Sequence, residues 1–174
     1  MERQIQEGLK NSDILLISGG ISVGDYDFVQ EILLELKIKK NFWRVAVKPG
    51  KPAFFGKKGV KLVFGLPGNP VSVLVTFLEY VRPAILKMMG QRDVLLQERE
   101  AILEEKLQKE TDRAHLLRGV FQEKNGMAYV KSAGLQCSHI LESFTGANCL
   151  IFLEKEKNFY EKGERVKIQI LPWK

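Results

Sequence analysis

Residues 65–72 read Gly-Leu-Pro-Gly-Asn-Pro-Val-Ser and join a short strand-like run, 61–64, to a long apolar stretch that begins at Val71. Two prolines fix their φ angles and two glycines bare the main chain, so the joint is stiff and its amides are open. Asn69 is placed to cap a helix, and Pro70 falls where the first helical turn needs no amide hydrogen. The chain is thereby committed to a strand–loop–helix unit. Unpaired amides at such a helix start attract anions, the macrodipole being equivalent to about half a positive charge there.

Two loops of the same character precede it. Ser18-Gly19-Gly20-Ile21-Ser22-Val23-Gly24-Asp25-Tyr26-Asp27 follows the apolar run 14–17, and Lys48-Pro49-Gly50-Lys51-Pro52 follows a predicted strand at 42–47. In an open α/β sheet, ligands bind outside the carboxyl ends of strands, where such loops converge. Residues 2–11 read as a helix. Phe28, Val29, Ile32, Leu33 and Leu36 recur at helical spacing, which predicts a second helix over 28–36 capped by Asp25 or Asp27. Further strands are expected at 53–56 and 61–64, and a long helix from Pro70 toward Gly90 kinked at Pro83. One crossover helix cannot cover both faces of a doubly wound sheet, so the sheet reads as incomplete.

Beyond Gly90 the texture changes. Short alternating segments at 101–107, 116–122, 128–131, 149–153 and 166–171 are separated by turns such as Asn125-Gly126 and Glu161-Lys162-Gly163-Glu164. That pattern predicts an all-β domain. The expected domains are 1–92, α/β, and 93–174, β. The net charge of +6 lies mainly in the first 90 residues, but no nucleic-acid module accompanies it. Cys137 and Cys149 have no partners at metal-ligand spacing and suggest no disulfide framework. The start of the chain is polar, and the longest apolar stretch is interrupted by Glu79, Arg82, Pro83 and Lys87. These features predict a cytoplasmic protein with no nucleic-acid or membrane partner.

Lys48 and Lys51 flank Pro49-Gly50, a turn able to present two ammonium groups to one anion. Arg44 falls on the same side as Lys48 by period two of the expected strand. Ser138-His139 is a poor nucleophile pair, since adjacent strand residues point to opposite faces, and His115 has no metal-ligand partner at useful spacing.

The order S-G-G-x-S-x-G-x-x-D, then V-K-P-G-K-P, then G-L-P-G-N-P-V-S closely resembles the central domain of the molybdopterin molybdenumtransferases, the MoeA family, whose eukaryotic relative is the C-terminal part of gephyrin. Arg118-Gly119-Val120, Gln136-Cys137-Ser138-His139-Ile140, Ser143-Phe144 and Ala147-Asn148-Cys149 resemble the family's small C-terminal β-barrel domain. The resemblance implies part of a MogA-like three-layer α/β sheet domain followed by a small all-β barrel. It implies an enzyme that takes adenylylated molybdopterin and molybdate, cleaves the adenylyl phosphate bond with Mg²⁺, inserts molybdenum into the dithiolene and releases AMP. Carried over by residue, Asp27, Lys48 and Lys51 would be catalytic, and Asp27 with Asp25 would bind Mg²⁺. Ser18, Gly19, Gly20, Ser22, Gly24, Arg44, Pro67, Gly68, Asn69, Pro70, Arg118, Ser138 and Ser143 would hold the pterin and nucleotide. Family members are about twice as long and carry a Thr-Gly-Asp-type acidic motif absent here. The expectation is therefore a chain that works as a homodimer or with a partner supplying the missing N-terminal half. The alternative is a non-catalytic molybdopterin- or nucleotide-binding fragment or subunit.

Overall fold

A computed structural model describes residues 1–21, 28–110, 112–134, 136 and 144–173. The chain forms two compact units, Met1–Val45 with Gly50–Phe77, and Ala46–Pro49 with Leu78–Lys174.

In the first unit, helix α1 (Glu2–Asn11) leads into strand β1 (Ile14–Ser18), and α2 (Phe28–Glu35) into β2 (Lys39–Trp43). The strands β4 (Phe54–Lys58) and β5 (Lys61–Leu66) follow the second glycine loop. The sheet order is β1-β5-β4-β2, with β1 and β5 parallel and the other pairs antiparallel. Ile5 and Leu9 from α1 and Val29 and Leu33 from α2 are buried in one apolar cluster with Ile38, Phe54 and Val63. Helix α2 stops because Lys37 turns left-handed, at φ 55°, and the Ile38 amide donates back to the Leu33 carbonyl at 3.0 Å.

The expected strand at 42–47 is broken. Arg44 adopts φ 69°, its amide donating to the Ala53 carbonyl and that of Val45 to the Lys51 carbonyl. The strand ends at Trp43, and Val47–Lys48 forms a separate strand, β3. Arg44 and Lys48 thus share no strand, and the period-two argument linking them fails.

Helix α3 (Pro70–Thr76) runs into a π-helical turn, Phe77–Val81, before α4 (Arg82–Met88). The irregularity precedes Pro83 because its ring and missing amide hydrogen disturb the carbonyl four residues back, that of Glu79, and the widened turn absorbs the mismatch. No helix among the described residues is long and apolar enough to cross a membrane.

The second unit is a closed five-stranded barrel. It comprises β6 (Glu98–Leu103), β8 (Ala114–Lys124), β9 (Met127–Ser132), β10 (Cys149–Leu153) and β12 (Arg165–Ile170), in the cyclic order β10-β12-β6-β9-β8. Strand β10 closes the ring by pairing with both β12 and β8. A small ribbon joins β7 (Leu107–Gln108) to β11 (Phe159–Tyr160). Leu103, Val130, Ile151, Leu153 and Ile168 fill the interior. At the β8–β10 seam the walls approach closely: a Cβ on Gly119 would lie 2.7 Å from Ile151 Cγ1 and 2.9 Å from Cys149 Sγ. Cys149 is a free thiol, and burial pushes its pKa up to about 12. The two architectures implied by the sequence resemblance, a mixed α/β sheet and a β-barrel, are both present.

Candidate functional site

The predicted residues gather in two places, one in each unit. In the first, β1 and β5 run side by side and in parallel, so the loops leaving their C-terminal ends meet. Ser18 Oγ donates to the Pro67 carbonyl at 3.4 Å, and the Gly19 amide to the Leu66 carbonyl at 3.0 Å. Gly19 and Gly20 have φ of 83° and 64°, a conformation that L side chains rarely adopt. A Cβ on Gly68 would sit 3.7 Å from Gly19 Cα. Gly50, at φ 113°, seats the second loop on α3: a Cβ there would lie 2.6 Å from Thr76 Cγ2. Two of the three glycine loops therefore meet, bringing Ser18, Gly19, Gly20, Pro67 and Gly68 together, while the 48–52 loop, which carries exposed Lys51, is seated on α3 through Gly50.

Asn69 caps α3 as expected, its Oδ1 accepting from the Val71 amide at 3.1 Å and the Ser72 amide at 3.4 Å. Pro70 occupies the first turn. The capping carbonyl takes the amides that the sequence reading left free for an anion, so this seven-residue helix contributes stiffness to the loop more than a docking point.

The second cluster belongs to the barrel unit. Strand β3 adds in parallel to β8, with Val47 opposite Ala114 and Lys48 opposite His115. Lys48 and Arg118 line one cavity of about 650 Å³, together with Lys109, Glu110, His115 and Gln136. By alternation, His115 and Leu117 fall in register with Leu153 and Ile151 of the barrel core, whereas Arg118 falls in the opposite phase, across from Leu150. Arg118 is only 1% exposed. Gln136 holds its main chain from both sides: the Arg118 amide donates to Gln136 Oε1 at 2.9 Å, and Gln136 Nε2 donates to the Arg118 carbonyl at 3.0 Å. The guanidinium carbon lies 5.9 Å from the Phe144 ring centroid.

Lys109, also buried, spends its three ammonium hydrogens on the carbonyls of Glu110, Arg113 and Lys155, at 2.9, 3.0 and 3.1 Å. Burial lowers its pKa against the pull of Asp112 and Glu156. Exposed Lys48 lies 3.9 Å from the exposed Glu110 carboxylate. Burial, then Lys48, Lys109 and Arg113, depress the His115 pKa from 6.5 to about 4, with Asp112 opposing. The imidazole is neutral at physiological pH.

Ser22, Gly24, Asp25, Asp27, Ser138 and Ser143 lie outside the described residues. Among the described residues no group of three His, Cys, Asp or Glu side chains could hold a metal ion. Lys109, His115 and Gln136 are cavity residues that the sequence did not mark. Gln136 stood within a motif, but its grip on Arg118 depends on chain reversal and shows in no spacing.

Residues 1–87 match the family model described as "Probable molybdopterin binding domain", and residues 100–171 match that of the MoeA C-terminal region, domain IV. The chain belongs to the MoeA family of molybdopterin molybdenumtransferases. Within that family it is 41% identical over 160 residues to the molybdopterin molybdenumtransferase of Haemophilus influenzae, covering 91% of this chain and 39% of that protein. It is 38% identical over 144 residues to the molybdenum cofactor synthesis protein cinnamon of Drosophila melanogaster, covering 81% of this chain and 24% of the other. A crystal structure of the molybdopterin biosynthesis MoeA protein of Pyrococcus horikoshii superposes with a TM-score of 0.72 at 26% identity, over 98% of this chain and 38% of that one. The chain spans about two-fifths of the length of the bacterial MoeA relatives it matches.

Proposed function

We propose that this chain supplies the pterin- and oxyanion-binding part of a molybdopterin molybdenumtransferase in cytoplasmic molybdenum cofactor biosynthesis. The remaining family domains, in the same protein or a partner chain, complete the enzyme, with a homodimer as the expected assembly. The observation that carries the reading is that Lys48 and Arg118, from distant segments, both line one cavity. The contact between the Ser18–Gly20 and Pro67–Gly68 loops supports it, as a rigid main-chain wall suited to a flat pterin or an adenylate phosphate.

In this reading adenylylated molybdopterin and molybdate are converted to molybdenum-molybdopterin and AMP. Lys48 and Arg118 neutralise the oxyanion, each charge-assisted hydrogen bond contributing about 1.5–3 kcal/mol. Lys51 faces a substrate phosphate. The stiff prolyl and glycyl loops lose little entropy on binding. Mg²⁺, held by Asp25 and Asp27, would screen the charge of the phosphates.

The test supplies adenylylated molybdopterin, molybdate and Mg²⁺ to the chain, with and without the remaining family domains, and follows AMP by chromatography. AMP release with those domains present, lowered about tenfold or more by Lys48→Ala, is expected; each tenfold corresponds to about 1.4 kcal/mol of lost stabilisation. Binding of adenylylated molybdopterin with no AMP release under either condition would identify a non-catalytic module. No binding at all overturns both readings.

A further inference from the structure

His115 Nε2 is buried and has no hydrogen-bond partner. A buried polar atom left unpaired costs on the order of 1–3 kcal/mol, and a structural histidine ordinarily avoids that by bonding a neighbouring carbonyl or hydroxyl. The residue lines the cavity that Lys48 and Arg118 also line, and it stands directly opposite Lys48 across the β3–β8 ladder.

We infer that His115 is a proton-linked ligand of a tetrahedral oxyanion in this cavity: the anion enters with one proton, taken from solvent by the imidazole, and Nε2–H donates to an anion oxygen. The inference rests on the proposed reading of the cavity as an anion site. The oxyanion is molybdate or the phosphate of the pterin substrate, which share shape and charge. No covalent bond forms or breaks.

The groups around the ring give the coupling its sign. Lys48 faces it from β3, Lys109 and Arg113 from the segment before β8, and apolar Leu153 from β10, while Asp112 opposes the positive field and the Glu110 carboxylate lies beside Lys48. With the cavity empty, that field and burial hold the ring neutral. A dianion beside Lys48 reverses the local potential and displaces the exposed Glu110 carboxylate as the lysine's partner, so the protonated ring becomes the favoured form. Linkage then requires anion affinity to fall as pH rises through the His115 pKa of the bound state, by up to about tenfold per pH unit.

The test is calorimetric titration of the full chain with molybdate, and separately with inorganic phosphate, near pH 6 and pH 8. Buffers of different ionisation heat make the proton count measurable. Near pH 6 about one proton more is taken up per anion bound than by His115→Gln, which keeps a donor near the Nε2 position and binds without that pH dependence; the protonation of inorganic phosphate itself cancels in the difference. The anion that binds with the histidine-dependent proton identifies the source. Binding that Lys48→Ala abolishes but that carries no histidine-dependent proton overturns the inference and leaves the cavity reading standing. Failure of both anions to bind, or binding indifferent to Lys48→Ala, overturns the cavity reading and the inference with it.

Discussion

Among the described residues no carboxylate lies within hydrogen-bond reach of the buried Lys109 charge, which is stable because three carbonyl dipoles converge on its ammonium group. Replacing it with methionine keeps the stem and strands those acceptors, so Lys109→Met is expected to lower unfolding free energy by about 3 kcal/mol in urea titrations. His115 acts on stability through pH. Its folded pKa, about 4, lies below the unfolded value of 6.5, so the unfolded chain binds more protons between the two. Its contribution is fully present above pH 6.5 and is lost as pH falls through about 4. In anion-poor buffer the protein should lose up to about 3 kcal/mol across that window, and His115→Gln should flatten the curve. Chain order hid this residue: a lone histidine without a metal-ligand neighbour reads as structural, and only the pairing of β3 with β8 sets it against Lys48. Asn69 was the opposite case, because capping is a local act written in neighbouring residues.

Among the elements, α3 and the loops laid on it follow from sequence almost directly. Asn69→Ala should cost about 1 kcal/mol of stability by chemical denaturation, and Asn69→Asp should restore most of it. Gly50→Ala is more severe, since the added methyl meets Thr76 Cγ2 at 2.6 Å on a backbone at φ 113°. A loss of about 2–3 kcal/mol is expected, partly recovered with Thr76→Ser, which removes the opposing methyl. The element that sequence misplaced is the strand before that loop. Alternation from Phe42 to Val47 looked continuous, but Arg44 turns left-handed to bond Ala53, and nothing in its side chain announces that. The π turn was half legible. Pro83 predicted a disturbance, and a π-helical turn, Phe77–Val81, lies just ahead of the proline.

For the whole molecule, alternating segments and turns after Gly90 foretold a β domain, and the family motifs foretold a barrel. Closure was not readable from the strand pattern, because it depends on β10 pairing with two strands at once. Gly119 is where that closure is tightest. Gly119→Val should lower the melting temperature by 5 °C or more, at roughly 4–8 °C per kcal/mol for a unit of this size, as followed by circular dichroism. The three glycine loops were legible as a set, whereas their division between two compact units was not: Lys51 belongs to the sheet unit and Lys48, three residues earlier, to the barrel unit. That division has a genetic corollary. The barrel unit takes four residues, Ala46–Pro49, from within the span of the other unit, so no single cut in the gene releases it whole. A polypeptide begun at Leu78 would lack β3 and the lysine its cavity depends on. Fission or recombination near that point therefore removes the proposed oxyanion site even when every barrel strand survives.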